Sequence, residues 1–406
     1  MVYKFKSVPF VTSILFLVYV LITVFLGYNV RAFVKLDWEA DGVLPGVHYI
    51  ALPFLLMGSV FCISRIKFRI VEKKFILLSL LLVAYQKFVL QQSAGLSILI
   101  NSVFEPILLL GVLRILKDKD INRIKNIIIL FLFIESLISI YEYLTQNWVF
   151  ADPSRYVLVA VLQGTEDMRA YALHGHPLQN AFLVGVSLVA ILFSEMKIMK
   201  RYIVFFISIV AIACFNTRST MLIVSVMFLI SFYRDSKSKK IGLAKKIIFL
   251  LFICAVGCIA VRFILLHDMG SRMVMGIGTD GSSMARVVLI QAFSQLNLFD
   301  LLFGAASGIS NMIMTKYSLI AIENSYANLI LAYGLIFAII FSYFWGKIIF
   351  NMSSNKALNI MMIIVVFALL NVNNVIITDC PSMEFVVLVT YCFGKKNCTK
   401  KISLSI

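Results

Sequence analysis

Four short stretches of the 406-residue chain carry side chains suited to gripping a charged, hydroxyl-rich ligand. The first is Met168-Arg-Ala-Tyr-Ala-Leu-His-Gly-His-Pro-Leu-Gln-Asn180. It sets Arg169, Tyr171, His174 and His176 directly ahead of an apolar run in which Asn180 sits. Pro177 suits the first turn of a helix. His176 and Asn180, four apart, would then share one side of that helix at its mouth. The plainer reading is an ordinary polar lead-in to a helix.

The second stretch is Cys214-Phe-Asn-Thr-Arg-Ser-Thr220, a very short turn between two apolar runs. A fixed cation at that depth needs a polar cavity or a partner. The planar guanidinium fork of Arg218 matches phosphate oxygens bidentately. The alternative, snorkelling to headgroups, is the better reading for Arg31, Arg155 and Arg262. The third stretch runs Asp280-Gly-Ser-Ser-Met-Ala-Arg286, then on to Phe303-Gly-Ala-Ala-Ser-Gly308. A Ser-rich turn opens a helix bearing Arg286, and the Gly-rich turn lacks the lysine of a phosphate-binding P-loop, so nucleotide binding is set aside. The fourth is Ile322-Glu-Asn-Ser-Tyr-Ala-Asn-Leu-Ile-Leu-Ala-Tyr-Gly-Leu335. Glu323 or Asn324 can cap the following helix. Alternatively Glu323 serves as a base, or orients a sugar hydroxyl, with Asn324 and Tyr326 beside it.

The elements that must position these residues are apolar. Hydrophobic residues make up 61% of the chain and charged ones 14%, against about 45–50% and about 25% in soluble domains. The runs are continuous rather than alternating, which selects helices over a β-barrel. Twelve spans are predicted: Val8–Val30, Pro45–Ile63, Phe75–Gln92, Gly95–Leu113, Ile127–Leu144, Leu178–Ser194, Tyr202–Phe215, Thr220–Tyr233, Ile247–Leu266, Tyr326–Phe350, Leu358–Ile377 and Glu384–Gly394. The expected fold is a single all-α polytopic membrane domain over 1–406, with external loops 145–177 and 267–325, the larger between the ninth and tenth spans. Their mixed polar and apolar residues fit short amphipathic helices on the membrane surface.

The net charge of +17 does not indicate nucleic acid, because the basic residues cluster between apolar runs. Twenty-seven of the 37 Lys and Arg fall on one side if both termini are cytoplasmic, which is the bias of cytoplasmic loops. The first span lacks a cleavage pattern and is expected to remain as an anchor. The seven Cys and four His form no metal or disulfide framework. Cys254 and Cys258, one helical turn apart, read as small membrane-buried residues. No internal repeat of the transporter kind is evident.

In this order, the four stretches resemble the motifs of the O-antigen polymerase and ligase superfamily, over roughly Arg169 to Leu335. Arg169 through His176-Pro177 and Asn180 match an Arg-led lead into a span. Thr217-Arg218-Ser219 matches a Ser-Arg-Gly/Ser turn. Arg286 through Phe303-Gly304 and Gly308 match an Arg-led loop helix ending in a Gly turn. Glu323-Asn-Ser-Tyr326 with Gly334-Leu335 matches a His-Asn-Ser-Tyr stretch followed by Gly-Leu. Glu323 stands where the ligases carry His, which favours a repeat-unit polymerase.

The resemblance implies a GT-C-like, metal-independent glycosyltransferase without cofactor in the bacterial cytoplasmic membrane. It would move a growing undecaprenyl-pyrophosphate-linked glycan, an O-antigen or capsule chain, onto a lipid-linked repeat unit at the outer face. Arg218 and Arg286, with Arg169, would offset charge on the leaving pyrophosphate. Glu323 would position or deprotonate the acceptor hydroxyl, and Tyr171, His176, Asn180, Asn324 and Tyr326 would line the substrate. A flippase and a chain-length regulator are implied partners. Two alternatives stand beside it: a ligase-type glycan transferase, and a lipid-linked oligosaccharide flippase.

Overall fold

A computed structural model describes residues 10–36, 48–89, 96–150, 169–237, 296–304, 324–376 and 380–395, with a few isolated positions between 258 and 322. Among these residues every regular element is helical. The expected span Ile247–Leu266 and most of loop 267–325 lie outside the described residues, as does 151–168. Among the described residues three helices are long and apolar enough to cross a membrane: Leu96–Leu113, Asp118–Thr145 and Ser325–Phe350. Phe10–Phe25, Pro177–Leu192, Lys356–Val372 and Ser382–Gly394 are shorter and equally apolar in character. The chain is an α-helical membrane protein.

In chain order the helices are α1 (Phe10–Phe25), α2 (Tyr28–Phe33), α3 (Leu52–Val60), α4 (Ile70–Phe88), α5 (Leu96–Leu99), α6 (Glu105–Leu113), α7 (Asp118–Thr145) and α8 (Pro177–Leu192). They continue with α9 (Ile198–Cys214), α10 (Arg218–Ser236), α11 (Leu298–Phe303), α12 (Ser325–Phe350), α13 (Lys356–Val372) and α14 (Ser382–Gly394). Helix α8 is the axis. Every residue in it but Leu178 is buried, as expected for a helix apolar on all sides. It packs against α9, α10, α13 and α14.

Charged side chains tie one end of the bundle together. Glu72, in the first turn of α4, accepts the Arg69 backbone N–H at 2.8 Å and the Arg114 guanidinium at 2.7 Å. Lys395 pairs with Asp118 at 2.8 Å. Arg201 and the Tyr202 hydroxyl both donate to Asp235, at 2.6 and 2.8 Å. Asn355 donates to the Phe193 carbonyl at 2.9 Å. These bonds gather the starts of α4, α7, α9 and α13 with the ends of α6, α8, α10 and α14. Basic residues cluster in the sequence at these positions.

The structure departs from the expected spans where the backbone is interrupted. Val8–Val30 is interrupted after Phe25, and Gly27 there is extended (φ −64°, ψ 173°) and lies against the Leu173 carbonyl and the His174 ring, where a Cβ would not fit. Leu358–Ile377 stops at Val372, where Asn373 turns extended (φ −129°, ψ 141°). The helical part of Pro45–Ile63 is Leu52–Val60.

Gly95–Leu113 contains a π-helical turn, Ile100–Phe104, between α5 and α6. Pro106 has no N–H for the Ser102 carbonyl. The Trp345 indole donates to that carbonyl instead, at 3.0 Å.

Tyr326–Phe350 is broken at Gly334 (φ 85°, ψ 162°). The Ala332 carbonyl freed by the break accepts from Gln86 at 2.6 Å. The break brings the Tyr326 hydroxyl beside Ser342, positions that would stand about 24 Å apart on a straight helix. Non-helical backbone at membrane depth is tolerated where protein covers it and satisfies its polar groups.

Candidate functional site

The end of the bundle opposite the basic face is organised by Glu142, near the end of α7. One carboxylate oxygen accepts the backbone N–H groups of Tyr171 (2.7 Å) and Ala172 (2.9 Å), and the other accepts that of Val149 (2.9 Å). Two turns earlier, Glu135 accepts the Leu173 N–H at 3.4 Å. From α2, the Asn29 amide donates to the carbonyls of Tyr171 (3.0 Å), Ala172 (3.2 Å) and His174 (2.9 Å). From α8, the Asn180 amide donates to the carbonyls of Tyr171 and His174 while its oxygen accepts the His174 N–H at 3.2 Å. Segment 169–176 is thus a buried length of irregular backbone whose groups are met by side chains from three helices. Buried backbone requires such partners.

The His174 ring lies inside this knot. Its Nε2 is 3.2 Å from the Val24 carbonyl, and Phe131 and Phe385 meet it edge-on. Burial pushes its pKa down to about 3, so the imidazole is neutral. Ala172 takes a left-handed conformation (φ 42°) to complete the loop.

Asn180 therefore points inward and fixes the loop instead of sharing the mouth of α8 with His176. His176 is the N-cap of α8, accepting the Leu178 N–H at 3.2 Å, and is half-buried. The Tyr171 ring stands edge-on to Trp148 (5.7 Å between centroids) and to His176 (6.0 Å), and burial raises its phenol to about 12. The Trp148 indole donates to the Arg169 carbonyl at 2.9 Å. Arg169, Tyr171, His176 and Trp148 form one cluster.

The Arg218 turn adjoins it. The Ala170 N–H donates to the Cys214 carbonyl at the end of α9 (3.1 Å), four residues before Arg218. Asn216 is left-handed (φ 52°), which lets α9 stop and α10 start within three residues. Thr217 is the N-cap of α10 but makes no capping bond. Both amide atoms of Asn216 and the hydroxyls of Thr217 and Thr220 are buried without hydrogen-bond partners. Arg218, half-buried, occupies the first helical position. A guanidinium there opposes the positive end of the helix dipole, and an anion favours both.

Asn324 and Tyr326 belong to a separate cluster at the start of α12. Asn324 caps that helix through the Ala327 N–H at 3.0 Å. Ser325 donates to the Asn373 carbonyl at 2.6 Å, and Asn328 donates to Asn374 at 3.0 Å. Arg286 and Glu323 lie outside the described residues.

Glu142, Glu135 and Asn29 escaped the sequence reading, although a carboxylate inside an apolar run is itself a functional signal. Among the described residues no three His, Cys, Asp or Glu side chains converge to hold a metal ion. The chain matches no family model and no curated protein.

Proposed function

We propose that the chain is a polysaccharide polymerase, transferring a growing undecaprenyl-pyrophosphate-linked glycan to a lipid-linked repeat unit at the outer face of a bacterial cytoplasmic membrane. In this reading the chain crosses twelve times with both termini cytoplasmic, and the ion-paired basic end of the bundle faces the cytoplasm. The opposite end, with Arg169 and Arg218, then faces outward, where a lipid-linked glycan would present its diphosphate.

The observation that carries the reading is the Asn216–Arg218 turn. Buried, unpartnered amide and hydroxyl groups surround the start of a 19-residue helix that begins with an arginine. Beside the guanidinium and the helix N-terminus, these groups would suit an anion. A pyrophosphate leaving group is the anion that the sequence resemblance supplies. Its developing charge would be met by the guanidinium and the α10 N-terminus. The Tyr171, Trp148 and His176 rings offer faces and edges for sugar rings. Arg286 and Glu323 enter on sequence alone, as a second cation and as the group that orients the acceptor hydroxyl. Arg218→Ala in cells whose surface glycan is resolved by length is the test. Single repeat units with normal protein level are expected, and full-length polymer would overturn the assignment.

A flippase for the same lipid-linked glycan is the second reading. The break at Gly334 favours it, since interrupted helices recur in transporters. A null strain separates the two, because loss of a polymerase leaves single units displayed outside and loss of a flippase leaves them inside. A ligase-type transferase is separated by long polymer accumulating on undecaprenyl pyrophosphate.

A further inference from the structure

Away from the outer loop, the bundle interior holds a second polar site. The Tyr19 hydroxyl of α1 donates to the Glu105 carboxylate of α6 at 2.9 Å. Glu384, in the first turn of α14, lies within direct electrostatic reach of both. Tyr19 is fully buried and the two carboxylates are 4% and 2% exposed. One Glu384 oxygen has no hydrogen-bond partner. Thr23, one turn along α1 from Tyr19 and 1% exposed, holds its hydroxyl beside the Tyr19 oxygen.

The depth of the site follows from the helices. Glu105 sits midway along Leu96–Leu113, immediately after the π-turn. Helix α14 has 13 residues and is about 20 Å long, short of the roughly 30 Å hydrocarbon thickness. It ends at the basic face, so its Glu384 end lies in the bundle interior. The groups facing Glu105 are Tyr19 from α1 and Glu384 from α14, and no cation among the described residues faces either carboxylate. Two carboxylates in one apolar enclosure cannot both stay charged without a companion.

We propose that Glu105, Glu384, Tyr19 and Thr23 form a buried binding site for one monovalent cation, held between α1, α6 and α14. The cation is a proton shared by the carboxylates or a sodium ion coordinated by their oxygens and the two hydroxyls. The site does not depend on the glycosyl-transfer reading.

The test uses the full-length protein in lipid nanodiscs, with choline chloride or sodium chloride at equal ionic strength. A proton in the site gives an infrared band of protonated carboxyl at neutral pH, which Glu105→Gln or Glu384→Gln removes and Glu384→Asp shifts. Sodium in the site gives a rise in melting temperature in sodium chloride that either Gln variant abolishes. Either result supports the site and names its occupant. Wild-type protein with no protonated-carboxyl band and no sodium-dependent shift overturns it. A band or shift that persists in both Gln variants overturns it equally.

Discussion

Asn29 of α2 and Asn180 of α8 donate to the same buried carbonyl, that of His174, each at 2.9 Å. Two amides far apart in sequence thereby clamp one turn of irregular backbone, and each also grips the Tyr171 carbonyl. Replacing either by Ala strands buried backbone groups, at a cost of about 2 kcal/mol. Because either amide alone still meets the shared Tyr171 and His174 carbonyls, the double variant, which strands both, is expected to lose more than the sum of the singles. Melting of the detergent-solubilised single and double variants checks both statements.

Glu142→Gln tests the other side of the same clamp. The carboxylate accepts three backbone N–H groups, whereas an amide must turn its own NH2 toward one of them. The expected loss is about 3 kcal/mol, and, on the proposed polymerase reading, polymer length falls as well, since the loop carrying Arg169 and Tyr171 is released. Unchanged melting and unchanged glycan length together would reduce Glu142 to a replaceable acceptor.

How much of this could be read beforehand depends on how local the signal was. Long apolar runs marked the helices well: Asp118–Thr145 covers the expected Ile127–Leu144, and Pro177–Leu192 nearly coincides with Leu178–Ser194. The short Asn216–Arg218 turn was legible because the residues that build it are adjacent. The loop clamp was not, because Asn29, Glu142 and Asn180 come together only through tertiary packing. Pro106 was visible in the sequence, but Trp345, which makes its π-turn tolerable, is far along the chain. Gly334 shows in the sequence only as part of a Gly-Leu pair, and its positive φ reveals the break.

Arg218→Lys separates charge from shape. Lysine retains the cation but presents a point charge where guanidinium offers a planar fork. If the turn grips a diphosphate bidentately, polymerisation is expected to fall about tenfold, equivalent to about 1.4 kcal/mol, with melting unchanged. Initial rates of chain growth with purified lipid-linked repeat units measure this. A lysine variant as active as wild type would leave only a non-specific electrostatic role for the position.

Gly334→Ala probes the break in α12. The glycine has φ 85°, and an added Cβ would press on the Leu302 carbonyl and the Phe303 nitrogen of α11. The variant is expected to lose about 1–3 kcal/mol from the strained conformation alone, and more if α11 cannot shift. On the proposed polymerase reading activity should fall with it, because the arm from Ser325 to Tyr333 carries Asn324 at its tip. A variant that melts like wild type would mean that α12 straightens without penalty.

His174 sets the acid limit of the buried loop 169–176. Burial holds its folded pKa near 3, below the unfolded value of 6.5. The unfolded chain therefore takes up a proton first as pH falls. The stability contributed by the neutral ring is complete above pH 6.5 and is lost progressively from there toward pH 3. His174→Gln keeps a polar group near the Val24 carbonyl but cannot titrate. Its melting temperature should start lower at neutral pH and decline less steeply on acidification than that of wild type. Parallel slopes would place the acid sensitivity elsewhere in the bundle and leave His174 a purely steric filler between Phe131 and Phe385.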